Sequence, residues 1–401
     1  MNARLGDADL RSMADRCVQC GLCLPQCPTY LDQQIETESP RGRIVLAKAL
    51  ATGTELSDSD LGTFDHCLGC RRCEAICPAS VPFDRILVEG RARIYRRRRT
   101  PLKARLLLWL IRHPRLLRFS LGLALRLPVW GRLRPVGGPR AQTGWHRSQK
   151  ATSRGRLLLY PGCIAGQLDV NVHTAAVKVL TERGWDVWLP RTLPCCGSLH
   201  DHAGRPEQGQ QLRQQLARAT ADGRFDAAIG CASGCIESLQ RALDPLPCFE
   251  IMSFLDHQQA PAVARPAGQN PTSSLLHVPC SQRNVLQQPE AAGNQLRAAN
   301  HAVSEAPAVC CGAGGWNSWL FPEQGQRLVA PLKTWIEKQA GRRVLSQNIG
   351  CRLHLCKQLG AHYQILHPIE LLASSEAQTA ESPHAQQSPP APTHSHRSLA
   401  D

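Results

Sequence analysis

Aromatic residues make up only 5% of the 401-residue chain, so its cores must be built from Leu, Val, Ile and Ala within a hydrophobic content of 42%. No run of 18 apolar residues occurs, and no transmembrane helix is expected. Met1 to Leu10 is polar and lacks an apolar h-region, so no secretory signal is expected. Between Gly90 and Leu168 there is no Asp or Glu. That window holds 19 Lys and Arg, whereas the whole chain is only +15, so the remainder is net −4. One segment makes the protein basic. No G-x-G-x-x-G opens a βαβ pattern and no P-loop is present, so the chain carries no nucleotide-binding fingerprint.

Cysteine is abundant, at 19 residues. Without export, thiols stay reduced, and clustered Cys point to metal ligands or redox groups rather than disulfides. Eight of them form two runs. The first is Cys17-x-x-Cys20-x-x-Cys23-x-x-x-Cys27-Pro28, and the second is Cys67-x-x-Cys70-x-x-Cys73-x-x-x-Cys77-Pro78. Three thiolates at this spacing wrap one face of a [4Fe–4S] cubane, and the fourth serves the other cluster. Cys17, Cys20, Cys23 and Cys77 are therefore assigned to one cluster, and Cys67, Cys70, Cys73 and Cys27 to the second. A pair of zinc sites is the alternative, and the doubled spacing with its following Pro counts against it. Between the runs, Ser39 suits an N-cap and Pro40 a first helical position, so a helix should connect the loops. Arg41 and Arg43 either approach the clusters or are solvated helix residues.

Residues 154–373 contain an internal repeat. The first copy runs from strand Arg156–Tyr160 into Cys163, through Cys195-Cys196-Gly197, to Ser233-Gly234-Cys235. The second starts at Leu275-Leu276-His277-Val278-Pro279-Cys280, passes Cys310-Cys311-Gly312, and reaches Ile349-Gly350-Cys351. The offsets are 32 against 30 residues from first Cys to pair, and 39 against 40 from pair to last Cys. Strands alternating with helical stretches predict parallel βαβ units. Each repeated Cys falls at or just after a strand end, where an open parallel sheet forms its binding crevice. Such thiols could bind a metal or cluster, undergo thiol–disulfide chemistry or line a subunit contact; buried small hydrophobes are the alternative. Cys231, Cys248 and Cys356 lack counterparts and count as ordinary thiols.

The basic segment holds Arg96 to Arg99, a largely apolar stretch from Leu102 to Ile111, and Pro114, which should break a helix. Beyond it, Arg115, Arg118 and Arg126 share a narrow helical sector, with Leu and Phe covering the rest. Two short amphipathic helices suit an anionic membrane surface, or else pack on the repeats or on a partner. No nucleic-acid-reading motif accompanies the charge, so no nucleic acid is expected. Residues 374–401 contain almost no large apolar residue and are expected to be disordered. The predicted organisation is 1–90, ferredoxin-like; 91–153, basic helical linker; 154–255, first repeat; 256–273, linker; 274–373, second repeat; and 374–401, tail.

These residues resemble a family. Cys17-Val-Gln-Cys20-Gly-Leu-Cys23, Cys27-Pro28-Thr29-Tyr30, Pro40-Arg41-Gly42-Arg43 and Cys67-Leu-Gly-Cys70-Arg-Arg-Cys73-Glu-Ala-Ile-Cys77-Pro78 are similar to the iron–sulfur subunit of glycolate oxidase (glycolate dehydrogenase). The paired Cys-Cys-Gly units resemble the CCG cysteine-rich domains shared with heterodisulfide reductases and the anaerobic glycerol-3-phosphate dehydrogenase C subunit. The resemblance covers about residues 10–373 and implies an α+β, α/β chain. An α-helical two-[4Fe–4S] ferredoxin-like domain would precede two α/β CCG domains with parallel strands. It implies an electron-transfer subunit with no substrate-oxidising site of its own. FAD would sit only on partner flavoprotein subunits, which oxidise glycolate to glyoxylate, and electrons would pass towards membrane quinone. It places the protein in the cytoplasm, peripherally on the inner membrane. Cys163, Cys195, Cys196 and Cys235, with Cys280, Cys310, Cys311 and Cys351, would be redox groups or hold additional metal. A related 2-hydroxy-acid, glycerol-3-phosphate or heterodisulfide oxidoreductase is the alternative. The sequence departs from the fuller CCG pattern, which ends in C-x-x-C: Ala232 and Asn348 stand at the earlier position. That departure weakens a five-thiolate, non-cubane cluster and direct disulfide chemistry.

Overall fold

The structure, a computed structural model, describes residues 6–98, 100–124, 141–258 and 273–380. The N-terminal unit is helical. Helices Pro40–Ala51 and Phe83–Arg97 pack on Asp7–Asp15 around Leu10, Ala47, Leu50, Phe64, Ile86 and Leu87. A helix begins at Pro28, directly after the first Cys run, and the expected one begins at Pro40, with Ser39 Oγ accepting the Gly42 N–H at 3.0 Å. Gly42 has to be glycine, because a Cβ there would stand 2.1 Å from the Glu36 carbonyl oxygen. Arg43 is buried rather than solvated, donating to Thr63 O at 2.8 Å and to Glu38 Oε2 at 2.6 Å.

Two sheets follow. The first contains β1 (Gly144–His146), β2 (Arg156–Tyr160), β3 (Asp186–Leu189), β4 (Ala227–Gly230) and β5 (Cys248–Glu250), in the order β1-β3-β2-β4-β5. Its strands are parallel except for the edge strand β1. The second contains β6 (Ser274–His277), β7 (Val303–Glu305), β8 (Arg343–Ser346) and β9 (Gln364–Leu366), all parallel, in the order β7-β6-β8-β9. Removing β1 leaves the same order in both copies. The central strands carry continuous apolar runs, Leu157-Leu158-Leu159 in β2 and Leu275-Leu276 in β6, as expected where helices cover both faces.

The copies are not independent beads. Leu157, Leu159, Val179 and Phe254 of the first share one core with Leu276, Leu296, Ile369 and Leu372 of the second. Helix Val170–Glu182 packs along helix Pro368–Ala380. A buried ion pair, Arg352 to Asp169 at 2.5 Å, crosses between the copies. Glu250 and His367, at equivalent strand ends, face each other at 3.5 Å with both side chains fully buried.

The boundaries differ from expectation in three places. Helix Phe83–Arg97 runs through residue 90, because its apolar face belongs to the N-terminal core. Strand β1 joins the first sheet, so that sheet begins before residue 154. The last helix runs to Ala380, into the stretch expected to be disordered; residues 381–401, like most of the 256–273 linker and Arg126, lie outside the described residues. Among the described residues, no helix is long and apolar enough to cross a membrane.

Candidate metal and redox centre

The two Cys runs fold as tight loops that need left-handed backbone: Gly21 has φ +82° and Gly69 φ +61°. They enclose two small cavities. Cys17, Cys20, Cys23 and Cys77, together with Cys73, line one of about 40 Å³. Cys27, Cys67, Cys70 and Cys73 line the other, of about 20 Å³. Arg41 borders the first and Arg43 the second. The fourth Cys of each run thus lies beside the other run's cavity. Burial pushes the Cys70 and Cys73 thiols well above their ordinary range. Soft sulfur donors around an enclosed space, costly to ionise without a cation, fit an iron–sulfur core.

Buried side chains brace the second loop. Arg91 donates from Nε to Phe64 O at 2.9 Å, and from its terminal nitrogens to Cys67 O at 2.6 Å and His202 O at 2.7 Å. Asn284, from the second copy, donates to Cys70 O at 2.8 Å. Arg71 pairs with Glu237 of the first copy at 2.7 Å. The second loop is therefore seated against both copies.

It faces a cavity of about 800 Å³ at the strand ends. All eight repeated Cys line this space, along with Cys70, and Cys231, Cys248 and Cys356 do not. In the first copy, hydrogen bonds link Cys163, Cys195, Cys196 and Cys235. The S–H bonds that Cys196 receives from Cys195 and Cys235 hold its thiol well below the usual range. In the second, Cys311 and Cys351 stand 2.9 Å apart, and the Gly312 N–H donates to Cys310 Sγ at 3.2 Å. Desolvation inside the cavity pushes the Cys310 thiol up to about 12. Gly197 and Gly312 both have positive φ, and a Cβ at either would meet a backbone oxygen, at 2.6 Å and 2.3 Å. The glycine after each Cys pair lets a neighbouring helix close over the thiols.

Residue-by-residue matching identifies what this geometry belongs to. A 4Fe-4S dicluster domain matches residues 13–81, and a cysteine-rich domain matches 157–240 and again 274–356. The chain belongs to the family that joins a 4Fe-4S dicluster domain to two cysteine-rich domains. It is 28% identical to the "Probable glycolate oxidase iron-sulfur subunit" of Bacillus subtilis (strain 168), covering 84% of this chain and 87% of that one. It is 26% identical to the "Glycolate oxidase iron-sulfur subunit" of Escherichia coli (strain K12), covering 92% and 96%. "Lactate utilization protein A 2" of Bacillus mycoides (strain KBAB4) is 22% identical over 55% of this chain and 99% of its own. Among solved structures, glutamate racemase RacE1 of Bacillus anthracis aligns with 58% of this chain and 83% of its own, at 11% identity and a TM-score of 0.27, too low to bear on fold or function.

Several residues at these dicluster and cysteine-rich sites carry no sequence motif. His277 and Tyr160, three residues before the first Cys of each copy, end equivalent strands beside the thiols. Arg91 and Asn284 are single polar residues in helical or loop sequence. Only the alignment of the two copies would have singled out His277 and Tyr160.

The basic segment forms helices Leu102–Arg112 and Pro114–Ala124. They pack on the first copy through Ile111 and Leu117, with Leu107, Leu110 and Leu121 against the same core, and Ala104 and Leu108 are also buried. Leu102, Leu106, Trp109, Leu116, Phe119 and Leu123 remain exposed. Arg118 does not stand free in a stripe, because it donates to Arg191 O at 3.2 Å.

Proposed function

We propose that this chain is the iron–sulfur electron-transfer subunit of a glycolate-oxidising complex. The observation that carries this is the seating of the second Cys loop: Cys70 borders both a cluster-sized cavity and the large thiol-lined one. Cys17, Cys20, Cys23 and Cys77 would hold one [4Fe–4S] cluster, and Cys67, Cys70, Cys73 and Cys27 the other. When bound, such clusters accept and release single electrons. The chain's own residues fix the loops and exclude water. Arg91 ties Cys67 O to the first copy, and Asn284 ties Cys70 O to the second. The eight repeated thiols lie next along that route and serve as redox groups or metal ligands.

Substrate oxidation belongs to FAD-bearing flavoprotein partners, in keeping with the missing nucleotide fingerprint and with the names of the relatives. Electrons leave towards membrane quinone. The two amphipathic helices dock the subunit on the cytoplasmic face of the inner membrane. On the first, exposed Leu102, Leu106 and Trp109 recur at i, i+4 and i+7, and Lys103, Arg105 and Arg112 flank them. Lactate or another 2-hydroxy acid is a second substrate class, favoured by the lactate-utilization relative.

The test is reconstitution. The purified chain alone should reduce no dye with glycolate, and added flavoproteins should restore activity. Glycolate oxidation by the chain without flavin would refute the assignment. A rate with D-lactate well above that with glycolate would transfer it to the second class.

A further inference from the structure

Reducing an iron–sulfur cluster adds negative charge, so its surroundings decide how readily it takes the electron. Two features of the second Cys loop oppose that step. Cys27, Cys67 and Cys73 are buried, whereas Cys20 of the first loop is exposed, and added charge is harder to hold away from water. Helix Asp58–His66 also ends on Cys67, which brings the negative end of its dipole to the first ligand of that loop.

Positive charge is distributed unequally between the two loops. The cation lining the first cavity is Arg41, which Glu36 neutralises at 2.7 Å. Arg43 and Arg71 line the second, and they pair with Glu38 at 2.6 Å and Glu237 at 2.7 Å. Arg91 is different. It is only 4% exposed, and its hydrogen bonds go to neutral carbonyls: Nε to Phe64 O, and the terminal nitrogens to Phe64 O, Cys67 O and His202 O. Among the described residues no carboxylate pairs with it. Its place is closely built. A Cβ on Gly90 would stand 2.5 Å from the Phe64 ring, and one on Gly204 would stand 2.6 Å from the Arg91 backbone. Carbonyl dipoles satisfy the N–H groups of a guanidinium but leave its charge whole, and a buried charge calls for a counter-ion. The thiolates of the second loop, beginning with that of Cys67 itself, supply negative charge there.

We propose, on the reading that both Cys runs hold [4Fe–4S] clusters with crossed ligands, that Arg91 is the buried counter-charge of the cluster on Cys67, Cys70, Cys73 and Cys27. It holds the potential of that cluster high enough to take an electron from the cluster on Cys17, Cys20, Cys23 and Cys77. The transfer moves one electron: the first cluster is oxidised, the second is reduced, and no bond forms or breaks. The electron then lies at the loop that borders the large cavity. Arg91 is a positioning residue, acting through the field it sets up around the loop. Arg72 lines both the second cavity and the large one, has no ion pair among the described residues, and adds to the same field from the open side.

The experiment is an EPR-monitored redox titration of the full chain, purified anaerobically with both clusters in place. Cys77→Ser, which removes the first cluster, shows which midpoint belongs to the second. Arg91→Gln keeps hydrogen-bond donors and removes the charge. It should make reduction of the second cluster at least ~10-fold less favourable, a fall of about 59 mV for one electron. The first midpoint should move far less, and cluster iron should stay unchanged. The fall should persist in about 1 M salt, because buried charges are screened little. Arg91→Lys keeps the charge and should keep most of the wild-type potential. Arg72→Gln should lower the same midpoint by a smaller amount, which keeps the proposal testable if Arg91→Gln loses iron. Unmoved midpoints in a folded Arg91→Gln chain would overturn the proposal. So would an equal fall of both midpoints, or an Arg91→Lys chain shifted as far as Arg91→Gln, because Arg91 would then be only a cap on the helix carbonyls. Loss of iron in Arg91→Gln with no shift in Arg72→Gln would also overturn it. A wild type without two cubane signals would overturn the cluster reading, and the role of Arg91 with it.

Discussion

The dicluster unit and the paired repeats both gather thiols, by opposite means. Each ferredoxin-type run supplies four Cys within eleven residues, Cys17 to Cys27 and Cys67 to Cys77. The loop itself places most of the donors. In the repeats, the thiols of one site come from positions 72 residues apart, Cys163 and Cys235, and meet because strand order brings their ends together. The first kind of site depends on local backbone conformation. The second depends on the packing of a whole sheet and, because the copies share a core, on its neighbour too.

The sharpest way to break the comparison is Cys77→Ser. It should abolish the cluster assigned to Cys17, Cys20 and Cys23 and remove roughly half of the cluster iron. EPR showing that cluster intact and the Cys67 cluster lost would reverse the crossed assignment. Next is the buried pair between the copies. Arg352→Ala leaves Asp169 uncompensated and should destabilise the repeats by ~3–5 kcal/mol in denaturant unfolding. If the sites differ as described, the ferredoxin-type loops should keep their iron under conditions where the repeats have begun to open.

Serine at Cys195, Cys196, Cys310 and Cys311 together should cut electron transfer to the acceptor while leaving ferredoxin-type iron unchanged. Unchanged transfer and assembly would make these thiols packing residues. A smaller effect is expected at Glu250. Burial raises its carboxyl from the ordinary 4.5 to about 8. A raised folded-state value favours folding at low pH, and that contribution is lost as pH rises from about 4.5 through about 8. Burial lowers its neighbour His367, which disfavours folding below the ordinary imidazole range. Glu250→Gln should therefore flatten the fall in stability between those two pH values and leave the acidic arm, as read by thermal melts across pH. The smallest structural effect belongs to the exposed helices. Leu106→Asp with Phe119→Asp should change stability by no more than about 0.5 kcal/mol, yet abolish flotation with anionic liposomes. Retained flotation would place membrane contact elsewhere.

Much of the centre could be read from residues alone, because the chemistry sits in short motifs. The doubled Cys run, the Ser39-Pro40 helix start and the repeated Cys-Cys-Gly units each encode a local conformation or a local donor set. The repeat offsets foretold two α/β copies with parallel strands. The fate of Arg43 was not legible, since burial depends on Glu38, Thr29 and Thr63 converging on one guanidinium. The basic helices were ambiguous for the same reason. Their composition allowed either solvent-facing or packed apolar sides, and the structure has both: Leu108 and Ile111 go inward while Leu106 and Trp109 stay out.

The sequence by itself determined which residues can carry electrons or bind metal, because ligand chemistry is a property of the side chain and close spacing constrains a loop. It also determined that two similar α/β copies exist, since apolar runs and glycines recur at matching intervals. Only the tertiary structure decided that the copies share one core, that the Cys70 loop is seated against both, and that His277 lies within 4.8 Å of the Cys311 and Cys351 sulfurs. Those outcomes depend on contacts between segments far apart in the chain. Such contacts are fixed by the joint packing of strands and helices, and no local pattern of residues encodes them.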